Sequence, residues 1–395
     1  WPEDALIHAQ TRLLLALPRM DVATGLLLGM REDKDPRVAT LALSFSMPML
    51  ENEGEIDAAL QLGERINEIV AEYGPLWPAG LAAGLTTQLY GQNGRPEDAL
   101  VAAKKARSTL EMFGAEDDLH ELGWTVGLAS ALLGRIEEAR AVAREIAGLG
   151  HQGDAGWFDE DGNQLAALSN MIEAEVCRVQ GDREGAIILY ADTFRAVTAM
   201  AATQPRMRLW PLLIGSAYLS AVGELGSAGG LGGGSVIAPG GDVGGIPGGN
   251  PSGNPGDGYS ATTTGTALAA ESRQVARTVR TTALVSLRLQ RHELDLPILG
   301  VGVLALAAWG AAADRLSPEQ VAEGWGLALR LHSRQDFGPT RHQAVREQLL
   351  RRIARDSGTG AEAEAMLDAA ATAHVGDTAD AGVAAARAWL ESLRP

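Results

Sequence analysis

Four short words constrain this chain more than anything else in it: "GEIDAA" at Gly54, "GRPEDA" at Gly94, "GRIEEA" at Gly134 and "GDREGA" at Gly181. Each is a glycine with an acid three residues on and an alanine five residues on, at successive spacings of 40, 40 and 47 residues. Physically, the word is a helix stop followed at once by a helix start. Glycine supplies the left-handed residue that closes one helix. Pro96, just inside the next helix, has no amide hydrogen to lose and a preset φ. The acid lies in the first turn, facing the positive end of the helix dipole. The alanine is small because two helices cross closely there. Apolar residues then recur at helical spacing, as at Ala99, Leu100, Ala103, Ala106 and Leu110. One such hairpin cannot cover its apolar face, but a stack of them can. The expected fold is all-α, an α-solenoid in which helical hairpins wind into a right-handed superhelix.

These residues resemble tetratricopeptide repeats, in which a turn glycine is followed five residues later by a packing alanine. The likeness extends to a small residue seven before the glycine, Gly127 and Ala174, and to Tyr90 four before it. Met47 and Thr87 take the small position in the first two units, and the period exceeds the usual ~34 residues. Longer helices are therefore expected. The chain opens on "WPEDAL", nearly the "RPEDAL" of residues 95–100. In that register Trp1 follows a turn glycine and starts the second helix of a hairpin, so the chain is expected to be cut from a longer polypeptide.

Between Gly223 and Gly258 nearly half the residues are glycine, with prolines and little to bury. Such a stretch cannot offset its ordering entropy, and a coil of its length spans about 30–35 Å. The flanking "LWPLLIGSAYLSAVGELG" and "ALAAESRQVARTVRTTALVSLRL" read as the two helices of one hairpin. The segment reads as a turn swollen by a flexible insertion, the alternative being an interdomain linker. The organisation expected is hairpins over 1–222, a Gly/Pro-rich insertion over 223–262, and further hairpins and C-terminal helices over 263–395. Beyond the insertion lie an apolar run at 296–313, a helix start at Ser317–Pro318–Glu319, and three more helical stretches. The apolar run approaches the length of a membrane span but lacks an aromatic belt and is followed by Asp314 and Arg315, so a buried helix is expected.

The whole length resembles the C-terminal repeat region of bacterial transcriptional regulators of the SARP/AfsR type. The likeness rests on "DPRVATLALSF", "ENEGEIDAALQLGERI", "LLGRIEEARAVAREI", "VQGDREGAIILY" and "DLPILGVGVLALAAWGAAADRLSPEQVAEGWGLALRL". Regulators of that type join a winged-helix DNA-binding domain and an ATPase to such repeats. The resemblance implies a regulatory arm that packs on the ATPase and relays a signal. The related LuxR/MalT-like regulators carry C-terminal DNA-reading helices that have no counterpart after Gly360. The rival expectation is a free-standing repeat adaptor with no role in transcription.

Chemistry is sparse. The formal net charge is −17, and Lys34, Lys104 and Lys105 are the only lysines. Such a surface repels phosphate backbones and anionic membranes, so direct nucleic-acid or membrane binding is not expected. There is no Gly-x-x-x-x-Gly-Lys-Ser/Thr phosphate loop and no Gly-x-Ser-x-Gly elbow. Seven histidines form no metal-binding pair, and the loop "HQGDAGWFDEDGN" lacks the ordered alternation of a calcium site. Cys177 stands alone, which excludes an internal disulfide and reads as a small inward-facing residue. The expectation is a cytoplasmic, non-catalytic protein without cofactor or metal. The basic stretch Arg341, Arg346, Arg351, Arg352 and Arg355 reads as a solvated face pairing with Glu347 and Asp356. Binding is expected in the concave groove, through Gln88, Gln92, Glu121, Trp124, Met171, Glu175 and Arg178, the alternative being that Trp124 and Met171 only seal one hairpin against the next. A second patch is expected at Arg206, Arg208 and Trp210. The expected partner is a protein or peptide, foremost the ATPase and DNA-binding portion of the parent polypeptide.

Overall fold

The computed structural model describes residues 9–10, 12–13, 20–74, 76–149, 163–204, 207–225, 265–289, 294–373 and 378–393. Among these the chain is all-α: sixteen α-helices, one 3-10 turn and no strand. The first ten helices are α1 (Met20–Met30), α2 (Pro36–Asn52), α3 (Ile56–Tyr73), α4 (Trp77–Gln92), α5 (Pro96–Phe113), α6 (Glu116–Leu132), α7 (Ile136–Leu149), α8 (Asn163–Val179), α9 (Arg183–Thr203) and α10 (Trp210–Leu225). Then follow α11 (Gly265–Ser286), α12 (Leu296–Ala312), α13 (Pro318–Arg330), the 3-10 turn Gly338–Thr340, α14 (His342–Ser357), α15 (Gly360–Ala373) and α16 (Ala379–Ser392). The opening "WPEDAL", the 151–162 loop and nearly all of the glycine-rich stretch lie outside the described residues.

The repeated word builds one repeated turn. Gly54, Gly94, Gly134 and Gly181 have φ of 78°, 70°, 72° and 87°. In each case the glycine N–H donates to the carbonyl three residues back, and the next N–H donates five residues back, as in Gly94 to Gly91 and Arg95 to Tyr90. These are the paired bonds of a Schellman helix end. The alanines five residues on, Ala59, Ala99, Ala139 and Ala186, are all at most 1% exposed. The positions seven before each glycine are also tight. A Cβ on Gly127 would fall 2.4 Å from Ile172 Cδ1, and Met47, Thr87 and Ala174 are fully buried.

Two further turns use the same bonds without glycine: Asp314 (φ 52°) between α12 and α13, and His332 (φ 53°) after α13. The left-handed residue costs a side chain about 1–2 kcal/mol. Gly134 has open space around it, whereas a Cβ on Gly54 would meet the His332 ring at 2.5 Å. Gly134→Ala is therefore expected to lose about 1–2 kcal/mol in denaturant unfolding, and Gly54→Ala distinctly more.

Each turn makes an antiparallel hairpin, and the hairpins stack. The leading helices touch in sequence, α2 on α4, α4 on α6 and α6 on α8, while each trailing helix also packs on the next leading one. Helices α10 and α11, on either side of the glycine-rich stretch, pack directly on each other, and both contact α12. Gly223, read as the start of the insertion, belongs to α10. Helix α12 is the expected buried helix: every residue from Leu296 to Ala311 is buried, and Asp295 caps it by accepting from the Ile298 N–H at 2.9 Å. No helix among the described residues is long and apolar enough to cross a membrane. The C-terminal helices fold back rather than extend the row. Arg280 Nε on α11 donates to the Leu390 carbonyl at 2.6 Å, and Trp389 Nε1 donates to the Gln320 carbonyl at 3.1 Å. Four of the five arginines of the basic stretch meet other groups of the chain, Arg341 through the Gly94 carbonyl. Arg346 pairs with Asp368, Arg352 with Asp314 and Asp356, and Arg355 lies 3.9 Å from Asp314.

Candidate functional site

The ends of the leading helices α2, α4 and α8 face an eleven-residue segment of the chain itself, residues 331–341 between α13 and α14, which lies across them as a strap. At the first turn His332 covers Gly54. At the second, the Gln335 N–H donates to the Gln92 carbonyl at 2.8 Å, and Arg341 Nη2 donates to the Gly94 carbonyl at 3.1 Å. At the fourth, the Gly338 N–H donates to Glu175 Oε1 at 3.0 Å, and Phe337 meets Tyr190 edge to face at 6.1 Å. Gly338 leaves room for the Arg178 guanidinium: a Cβ there would fall 1.7 Å from Arg178 Nη2 and force that side chain to move.

The strap is polar yet buried, so its groups must be partnered. Arg334 Nε pairs with Asp336 Oδ2 at 2.6 Å, both almost wholly buried. Burial opposes the Arg334 charge, but Asp336, Glu51 and Asp295 outweigh it and hold the guanidinium protonated. Burial pushes Glu51 up, against Arg334 and the Gln92 amide, which donates to it at 2.5 Å. Asp295 is pushed up to about 7 by burial, again opposed by Arg334. Glu175, fully buried, accepts from the Tyr190 hydroxyl, from Arg178 Nε at 2.9 Å and from Gly338.

His342 closes the strap. Its Nε2 lies 2.7 Å from Ser333 Oγ, and its ring stands edge to face with Trp325. Burial, with His332 adding to it, lowers its pKa to about 4. His332 is itself held low by burial and Arg330, against Glu55 and Asp57. A histidine held neutral below its ordinary 6.5 contributes stability that is complete above that pH and lost as pH falls toward 4, amounting to roughly 3 kcal/mol. In denaturant unfolding at pH 7.5 and 4.5, His342→Gln should lose less stability on acidification than the native chain. Ser333 is buried, and its contact with His342 ties the start of the strap to α14.

The seven groove residues read from the sequence thus have divided positions. Gln92, Trp124, Met171 and Glu175 are buried, Gln88 and Arg178 are half-buried, and Glu121 is exposed. The expected open groove is covered by the strap at Gln92, Glu175 and Arg178. Trp124 stacks on Trp210 at 5.9 Å, which turns the second patch partly inward. Arg208 is exposed, and Arg206 lies outside the described residues. The strap itself was not legible as a site; its one signal is the close set Arg334, Asp336 and Phe337.

What the strap leaves open is a recess of about 200 Å³ between α2, α4 and α6. It is lined by Phe45, Leu81, Leu85, Gln88, Asp118 and Glu121 among others. Burial first, then Asp118 and Glu51, pushes the Glu121 carboxyl up. Elsewhere, the half-buried Cys177 thiol is pushed up by burial and by Asp182 and Glu173, the reverse of an activated thiolate. Among the described residues no three His, Cys, Asp or Glu side chains are grouped to hold a metal. Compared with known proteins, the chain matches no family model and no curated sequence.

Proposed function

We propose that the chain is a tetratricopeptide-like α-solenoid, wound as a right-handed superhelix, that serves as the non-catalytic regulatory arm of a SARP/AfsR-type transcriptional regulator. It works through protein contacts, first of all with the ATPase and DNA-binding portion of the same polypeptide, and acts in the cytoplasm. The observation that carries the reading is the set of four like turns, each followed by a buried alanine, with successive leading helices in contact. Stacked hairpins of this kind present extended surfaces for other proteins. The acidic surface favours a protein over a phosphate backbone as partner.

The test has two parts. The reading frame upstream of Trp1 should encode a phosphate loop, and the ATPase expressed from it should bind this chain in trans. The chain alone should release no phosphate from ATP. An upstream frame without an ATPase, or no binding between the two, would leave a free-standing adaptor as the better account.

A further inference from the structure

The strap ends the covered part of the concave side at the last turns of α2 and α4. One turn further back on the same helices lies the recess, and nothing in the fold needs it. Its walls are apolar, from Phe45, Pro48, Leu81, Leu85, Leu110 and Leu122. Its polar groups are Ser44 on α2, whose hydroxyl is spent on the Thr40 and Pro78 carbonyls, Gln88 on α4, and Asp118, Glu121 and Thr125 on α6. The last three, spaced by three and four, share one face of their helix.

Two observations separate this recess from imperfect packing. Gly84, in the middle of α4, lines it, and a Cβ there would meet no atom within 4 Å. Close packing therefore does not require that glycine, although glycine is a poorer helix former than alanine. What the glycine does is keep the cavity open. Second, Glu121 has no hydrogen bond or ion pair with another described residue. It shares the cavity with Asp118, and the one cation acting on it is Arg334, already committed to Asp336. The carboxylate is exposed where it lines the recess, so water reaches it, but beside the like charge of Asp118 it has no cation of its own.

We infer that the recess between α2, α4 and α6 binds an organic cation: a guanidinium or ammonium group on an apolar stem about the size of one side chain. The two carboxylates and the Gln88 carbonyl receive the head, and Leu81, Leu85 and Pro48 receive the stem. A planar guanidinium suits paired carboxylates best, and the exposed Phe45 adds an aromatic surface for it. The cavity is smaller than the ~300–1,000 Å³ of sites for drug-sized ligands, which limits the occupant to that size. The site goes beyond the protein-contact reading and needs only the stacking of α2, α4 and α6.

Calorimetric titration of the whole chain at fixed ionic strength tests it with three probes: butylguanidinium, its neutral isostere butylurea, and N-acetylarginine methylamide. Butylguanidinium is expected to saturate one site and butylurea to bind at least roughly tenfold more weakly. Glu121→Gln should weaken butylguanidinium by at least about tenfold. Gly84→Leu, whose Cβ would meet no atom within 4 Å, carries a side chain into the recess and should abolish binding, while the thermal midpoint should fall in neither variant. Tighter binding of the blocked arginine than of butylguanidinium would assign the natural occupant to a protein side chain, and weaker binding to a small free cation. No saturable binding of either cation at millimolar concentration, equal binding of butylurea, or binding that survives Gly84→Leu would overturn the site.

Discussion

Arg334→Met should destabilise the chain by about 3–5 kcal/mol, because it leaves buried carboxylates without their cation. Asp336 loses its direct partner, while Glu51 and Asp295 lose the charge that holds them down. The loss should appear as a lower denaturant midpoint with unchanged slope. It should also depend on pH in a definite direction. Carboxyls whose folded pKa lies above the unfolded value contribute least at high pH, and removing Arg334 raises them further. With Asp295 already at about 7, the deficit is expected to be larger at pH 8 than at pH 5.5. Removing Asp336 as well, in Arg334→Met/Asp336→Leu, should recover part of the loss, since a buried pair replaced whole costs less than a pair broken. An equal deficit at both pH values would show that the cluster is not held by Arg334.

Glu175→Ala is expected to be as severe, at about 3–5 kcal/mol. One fully buried carboxylate satisfies the Tyr190 hydroxyl, Arg178 Nε and the Gly338 amide. Burial first, then Glu175 itself, pushes the Tyr190 phenol well above its ordinary value, so it remains a donor that needs an acceptor. Truncation leaves three donors unpaired, each costing about 1–3 kcal/mol when buried. Glu175→Gln keeps an acceptor for two of them and should lose less than half as much. Native-state hydrogen exchange is the discriminating measurement. The amides of 337–341 should lose protection in Glu175→Ala before those of α8 do.

The repeating part of the molecule was legible because its constraint is local. A left-handed residue followed by a close crossing demands glycine and then alanine at fixed offsets, and Gly54, Gly94, Gly134 and Gly181 meet that demand. The turns at Asp314 and His332 make the same bonds but escaped the pattern: Asp and His are enriched at positive φ, yet both are far commoner elsewhere, so neither announces a turn as glycine does. The groove positions followed from the repeat register, and Gln88 and Glu121 do line one recess. What could not be read was that residues 331–341 occupy the neighbouring surface. "LHSRQDFGPTR" has the composition of an exposed loop, and its buried polar groups find their partners up to 247 residues away. No local pattern encodes a partner at that distance.

The bond from Gly338 to Glu175 spans 163 residues, and that separation has a consequence for how the chain comes into being. At ~5–20 residues per second of synthesis, the first four hairpins, ending at Thr203, are complete roughly 7–27 seconds before Gly338 exists. Throughout that interval the Gln92 carbonyl and the Glu175 carboxylate lack their strap partners, the amides of Gln335 and Gly338. Arrival of the late segment adds direct ties from the ends of the early leading helices to the late hairpins. An array of like units ordinarily melts from its ends; this one should come apart in a single step.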